Sequence, residues 1–183
     1  MSITVLRIGH RRTRDARIST HCGLVARAFG AERIVYTGES DDKLLDSVRK
    51  VADRWGGPFE AEYEKSWKKV VSGFDGVVTH LTMYGIPIQT CEAAIKNELN
   101  WDGKAGGKRK NLLVAVGGEK VPGEMYQMAG YNVAVTSQPH SEIAALAIFL
   151  DRMQAGSELD REFSGAKQKI IPQERGKMVE ENK

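Results

Sequence analysis

Short apolar runs and helical patterns alternate along almost the whole chain, and this alternation restricts the fold more than any other feature. The runs are ITVLRIG (3–9), ERIVYTG (32–38), FEAEYE (59–64), DGVVTHLT (75–82), NLLVAVGG (111–118) and YNVAVT (131–136). A helical pattern follows each one: ARISTHCGLVARAFGA, SDDKLLDSVRKVADRWGG, WKKVVSGF, PIQTCEAAIKNEL, VPGEMYQMA and SEIAALAIFLDRM. A strand separated from the next by a helix cannot close a hairpin with it; the two join in parallel through a crossover. The pattern therefore predicts an α/β fold, a mostly parallel sheet with helices on both faces. Local signals agree. In the second helical pattern, Ser40 is placed to cap, Asp41 and Asp42 suit the positive helix end, and Gly56–Gly57 stops the helix.

The alternation stops after Arg152. Residues 157–183 are charged, with one short strand expected in AKQKIIP. The expected division is an α/β domain over 1–156 and a basic C-terminal extension over 157–183. No apolar run has the length of a membrane span, and the charges of MSITVLRIGHRR follow its apolar part, unlike a signal peptide. Cys22 and Cys91 make no metal-ligand spacing and no disulfide framework, and the four histidines are scattered. The expectation is a cytoplasmic protein with no membrane association and no metal.

Charge placement says more than the net charge of +3. Arg7, Arg11, Arg12, Arg14 and Arg17 crowd the first strand–helix junction, opposed by Asp15. Lys104, Lys108, Arg109 and Lys110 form a second cluster, which reads as a solvated loop. The tail carries Lys167, Lys169, Arg175 and Lys177. Separate basic patches suggest a polyanionic partner.

In an open α/β sheet, ligands bind beyond the carboxyl ends of the strands. Three of those ends are unusual here: HLTMYG, GGEKVPGE and TSQPHSE. They offer backbone N–H groups beside helix starts. Gly117 and Gly118 allow close approach to the backbone, Pro122 suits the first position of a helix, and Ser141 suits an N-cap. A small-molecule pocket is expected on this edge. It is not an ordinary dinucleotide site, because no G-x-G-x-x-G follows the first strand. DGKAGGKRK imitates a phosphate loop, but Asp102 stands where the first glycine belongs and Arg109 where Ser or Thr belongs. There is no nucleophile-elbow pattern.

The blocks RDARISTHCGLVARAFGA, THLTMYG, LLVAVGGEKVPGEMY and NVAVTSQPHSEIAALAIFLDR, with the tail SGAKQKIIPQERGK, resemble the archaeal tRNA (cytidine-56) 2′-O-methyltransferase family of the SPOUT superfamily. The resemblance spans nearly the whole chain, in the right order. It implies a C-terminal trefoil knot in the α/β domain and S-adenosylmethionine as cofactor. It also implies methylation of the ribose 2′-hydroxyl of cytidine 56 in the tRNA T-loop by a homodimer. Three loops would clasp the cofactor: Leu81 and Thr82; Gly118, Glu119, Lys120, Val121 and Pro122; and Thr136, Ser137, Gln138, Pro139, His140, Ser141, Glu142 and Ile143. His140 and Glu142 have an alternative reading as inward-facing structural groups. For catalysis, Arg17 is the first candidate and Arg14 the second, holding the adjacent phosphate and stabilising the developing alkoxide. An arginine is too basic to accept the proton, so phosphate or water takes it, or His21 serves as an alternative base. Arg11, Arg12, Lys167, Lys169 and Arg175 are the expected RNA phosphate contacts. One departure stands out. Broader knotted 2′-O-methyltransferases place an arginine six residues before the glycine of A-x-G, and here that position is Leu24. The alternatives are a non-catalytic RNA-binding protein of the same fold and a 2′-O-methyltransferase acting on another RNA.

Overall fold

The computed structural model describes residues 1–104, 107–118 and 120–182. Its elements follow the chain as β1 (Ile3–His10), α1 (Arg12–Ala28), β2 (Arg33–Gly38), α2 (Asp42–Trp55), β3 (Glu60–Tyr63), α3 (Trp67–Ser72) and β4 (Gly76–Pro87). They continue as α4 (Ile88–Leu99), β5 (Asn111–Gly117), α5 (Gly123–Met128), β6 (Tyr131–Ala134), α6 (Glu142–Gln154), β7 (Gln168–Ile171) and β8 (Met178–Glu181). The first six strands form one sheet in the order β3-β2-β1-β5-β4-β6, and every neighbouring pair is parallel.

Alternation along the strands builds two cores. Val5, Ile34, Tyr36, Val77, Val114 and Val133 pack with Cys22 of α1, Leu44 of α2, Ile95 of α4 and Phe149 of α6. The residues between them, Leu6, Ile8, Val35, Leu113 and Ala115, pack with Val71 of α3 and Met125 of α5. Helices thus cover both faces, as expected for a parallel sheet buried on both sides. The connections leave β1 and β5 in opposite directions across the sheet. The crevice at such a reversal is where α/β sheets place ligands.

Three local departures from the sequence reading have physical causes. First, α1 starts at Arg12, earlier than the apolar pattern shows, because Arg11 and Asp15 pair across its first turn (Nε–Oδ2 2.9 Å). Second, Asp41 rather than Ser40 caps α2, accepting from the Leu44 N–H at 3.1 Å. Ser141 does cap α6, accepting from Ile143 N–H at 3.2 Å, a contact worth about 1 kcal/mol. Third, β4 continues past Thr82. It pairs with β6 through Leu81, loops out over Thr82–Gly85, and pairs again at Ile86 and Pro87. A Cβ on Gly85 would lie 2.6 Å from the backbone of Asn132 and Val133, so only glycine returns the chain to the ladder there.

The segment after α6 folds back onto the molecule. Gln154 Nε2 donates to Phe29 O and Arg161 Nη1 to Gly30 O, both at 2.8 Å. Arg27 stacks on the Phe163 ring at 4.4 Å, Ser164 bridges to Gly57, and Lys167 N–H donates to Arg54 O at 3.0 Å. These contacts lie at the carboxyl ends of α1 and α2. The tail therefore sits at the amino ends of the strands, opposite the reversal crevice. Beyond it, β7 and β8 form an antiparallel hairpin, two strands where the sequence pattern indicated one.

Candidate active site

A cavity of about 280 Å³ opens at the carboxyl ends of β4 and β5, walled by the loop that enters α6. Its lining combines Leu81, Val116, Val121 and Ala145 with His80, Thr82, Tyr126, His140 and Glu142. A glycine is needed at 117, where a Cβ would meet Val121 Cγ2 at 2.2 Å. At Gly118 the atoms nearest an added Cβ would be Arg7 Nη2 (3.6 Å), Arg7 Nη1 (3.9 Å) and Glu142 Oε1 (4.0 Å), so the backbone there lies at ordinary contact distance from an ion pair.

That ion pair stands on the α6 face of the sheet. Arg7 lies mid-strand in β1 and is 1% exposed. It donates from Nη2 to Glu142 Oε1 (3.1 Å) and from Nη1 to Ile8 O (2.7 Å), while its Nε has no partner among the described residues. An unpaired buried guanidinium would cost several kcal/mol, so Glu142 compensates Arg7, and Arg7 fixes the carboxylate at the cavity wall.

On the opposite face, toward α5, lies a chain of polar groups. His80 Nδ1 and Asn132 Oδ1 are 2.9 Å apart, and Asn132 Nδ2 donates to Tyr126 O at 2.8 Å. The Tyr126 ring meets His80 edge-on at 4.7 Å between centroids, and its hydroxyl shares a hydrogen bond with Thr82 Oγ1 at 3.0 Å. Burial lowers the His80 pKa from its ordinary value, opposed by the Asn132 bond. Sequence reasoning missed Arg7, His80, Tyr126 and Asn132 as site residues. The available signal was a charged or polar side chain in the middle of a strand buried on both faces, in VLRIG and VVTHL.

The cavity collects Leu81, Thr82, Gly118, Val121, His140 and Glu142 of the expected cofactor set. Lys120 lines an adjoining hollow of about 330 Å³ with Gly118, His10 and Arg11. Pro122 precedes α5 as its N-cap residue. Thr136, Ser137, Gln138, Pro139 and Ser141 are exposed on the loop. Thr136 Oγ1 accepts from Gln138 N–H (3.3 Å), and His140 Nδ1 sits 2.7 Å from Gln138 O. Ile143 turns partly into the core, and Glu119 lies outside the described residues.

The catalytic candidates lie elsewhere. Arg17 lines a hollow of about 640 Å³ between α1 and α2, with Arg12, Asp41, Lys43 and Ser47. Arg14 and His21 are exposed on α1, and none of the three lines the cavity of its own chain. Arg11 is bound to Asp15, whose pKa lies below its ordinary value chiefly through that hydrogen bond. Arg12 donates from its backbone N–H to Glu39 Oε2 (2.8 Å) and from its side chain to Ser40 O. In the tail, Lys167 pairs with Asp53 (2.6 Å) and Lys169 with Glu162 (2.9 Å), while Arg175 is exposed. Among the described residues no group of three or more His, Cys, Asp and Glu could hold a metal, and no helix is long and apolar enough to cross a membrane.

Comparison with known proteins gives a consistent result. Residues 55–180 match the model of the family tRNA ribose 2′-O-methyltransferase, aTrm56. A tRNA (cytidine(56)-2′-O)-methyltransferase of Thermococcus kodakarensis is 55% identical over 179 residues, covering 97% of this chain and 96% of its own. The protein of the same name from Pyrococcus abyssi is 53% identical over 180 residues, covering 98% and 87%. The SpoU methyltransferase AviRb of Streptomyces viridochromogenes, in complex with AdoMet, shares the fold. Its TM-score is 0.53 at 16% identity, over 84% of this chain and 57% of that one. With the family model covering most of the chain and relatives matching nearly end to end, the chain belongs to the tRNA ribose 2′-O-methyltransferase family.

Proposed function

We infer that the protein uses S-adenosylmethionine to methylate the ribose 2′-hydroxyl of cytidine 56 in the T-loop of tRNA. The observation that carries this reading is the end-to-end likeness to enzymes named for that reaction. The cavity fits the cofactor. Leu81, Val116, Val121 and Ala145 give an apolar wall for a purine, and Glu142 gives a carboxylate for a cationic group. Gly118, which lines the cavity, has no side chain to shield its backbone beside that carboxylate. When bound, the cofactor supplies an electrophilic methyl group on a sulfonium.

The remaining work falls to the chain. A ribose hydroxyl is a weak nucleophile and must be positioned and deprotonated. Arg17 is assigned to hold the adjacent phosphate and stabilise the 2′-oxygen as charge develops on it, with Arg14 as second choice. The proton passes to phosphate, water or His21. Arg12 and Arg175 supply phosphate contacts, which position RNA without reading its sequence. Lys167 and Lys169 can join them only by giving up their partners Asp53 and Glu162.

The protein works as a cytoplasmic homodimer in this reading. Arg14, Arg17 and His21 lie outside the cavity of their own chain, so a second chain is needed to bring them to a cofactor. Ile18 of α1 and Ile148 of α6 expose apolar surface on two helices that pack together. A trefoil knot fits the path of the chain, which leaves edge strand β6 and doubles back to α6 against α1. The test is mass-spectrometric mapping of labelled methyl groups in total RNA treated with the protein. A single ribose methyl at cytidine 56 of tRNA is expected. Methyl groups in another RNA, or none, would replace this reading with one of its alternatives.

A further inference from the structure

Tyr84 is 79% exposed, more than any other large apolar side chain among the described residues. Every other phenylalanine, tyrosine and tryptophan is buried or half-buried. Its side chain makes no hydrogen bond or ring contact among the described residues, so the ring contributes little to the fold. The loop that carries it is nevertheless firmly built. Both ends of the Thr82–Gly85 excursion pair with one residue, Val133, through Leu81 and Ile86. Thr82 Oγ1 shares a hydrogen bond with the Tyr126 hydroxyl (3.0 Å) and accepts from Tyr84 N–H (3.4 Å). Gly85 lies against the backbone of Asn132 and Val133. A ring presented by a loop tied down in this way loses little freedom when it meets a ligand. Thr82, Tyr84 and Tyr126 all line the cavity, so the exposed Tyr84 stands at its rim.

We propose that Tyr84 stacks on the base of the nucleotide whose ribose is methylated, and so positions the 2′-hydroxyl at the cavity. This rests on the function proposed above. The ribose must reach the cavity to meet the methyl group, and its base, one bond away, is then held near the rim. A loop nucleotide turned toward an enzyme leaves its neighbours in the RNA, and proteins receive such bases on aromatic side chains. Stacking is tolerant of base identity, so Tyr84 places the nucleotide and other contacts select it.

The test is a double-mutant cycle. Wild type and Tyr84→Ala are each given unmodified tRNA and the same tRNA with a ribose lacking its base at position 56. At 79% exposure, the substitution removes no core packing. With intact tRNA, Tyr84→Ala should lower kcat/KM roughly ten- to a hundredfold, the scale of one base stack. Removing the base should lower the wild-type value similarly and lower that of Tyr84→Ala little further. Tyr84→Phe and Tyr84→Trp should stay near wild type. Tyr84→Leu, which has bulk but no π face, should resemble Tyr84→Ala.

Losses that multiply in the cycle, or full activity in Tyr84→Leu, would make the contact independent of the base and overturn the proposal. S-adenosylhomocysteine binding by calorimetry and the sedimenting mass of the free protein should be unchanged in Tyr84→Ala. Weaker binding would put the ring on the cofactor's adenine, and a changed mass would put it between subunits; either result overturns the proposal. If the wild-type protein methylates no tRNA, the function reading itself fails, and this proposal with it.

Discussion

The two ends of the sheet treat charge in opposite ways. At the amino ends, where the tail is seated, the basic side chains serve the fold. Arg27 stacks on Phe163 and donates to Gly56 O, Arg161 donates to Gly30 O, and Lys167 pairs with Asp53. Toward the carboxyl ends, Arg7 Nε and His80 Nε2 are buried with no partner among the described residues. The tail end has its own exception in Glu158, a buried carboxyl whose pKa is raised by burial and by its hydrogen bond with Asp151, which favours the neutral acid. Positive charge in the sequence therefore does not by itself separate the end that serves the fold from the end that holds the cavity.

The sharpest test of this contrast is Arg17→Ala. Turnover at saturating tRNA should fall roughly 10²–10⁴-fold, with tRNA and S-adenosylhomocysteine binding near normal, the pattern of a lost catalytic contact rather than a lost anchor. A wild-type rate would pass the role to Arg14 or His21. Arg7→Ala comes next. It strands Glu142 in a mostly buried position, so denaturant unfolding should show a loss of about 3 kcal/mol. A loss below about 1 kcal/mol would mean that water reaches the pair and that the cavity end is no more demanding than the tail.

Arg11→Ala tests a charge on the same side that serves structure. The Arg11 hydrogen bond holds the Asp15 carboxylate below its ordinary range. A carboxylate with a depressed folded pKa stabilises the fold above its unfolded pKa and loses that contribution as pH falls through the folded one. The variant should be about 1 kcal/mol less stable near pH 7, and the deficit should vanish in strong acid, as urea melts across pH would show. A deficit independent of pH would instead point to lost packing. The smallest effect is expected for Lys167→Ala, within about 0.5 kcal/mol, because its partner Asp53 is exposed. Its tRNA affinity and salt slope should also match wild type. A reduced slope would show that RNA draws Lys167 away from Asp53.

Much of this architecture is legible in the sequence because burial on both faces leaves continuous apolar strands, and these stand out from the helices between them. The loops that line the cavity are legible for a related reason. Gly117–Gly118, Pro122 and Ser141 sit where strand ends meet helix starts. What escapes is whatever depends on contacts distant along the chain. Arg7 in VLRIG and His80 in VVTHL look like interruptions until β1 meets α6 and β4 meets β6. The outward loop of Thr82–Gly85 cannot be read from periodicity, because β4 resumes only when Val133 is there to pair with it. The second tail strand, MVEE, is too short and too charged to stand out without its partner QKII.

The central place of β1 also has a consequence in time. Its partner on one side, β2, follows closely along the chain, but its other partner, β5, begins at Asn111, so Ser2 N–H bonds Asn111 Oδ1 across 109 positions. During synthesis at roughly 5–20 residues per second, that flank of β1 stays open for several seconds at least before β5 emerges. An apolar strand with an unpaired edge invites association with other nascent chains, and a charge pointing inward discourages it. Arg7 is such a charge, in the middle of the strand that waits longest for its partner. The side chain that ends up clasping Glu142 thus also guards a half-made sheet while the rest of the chain is still being synthesised.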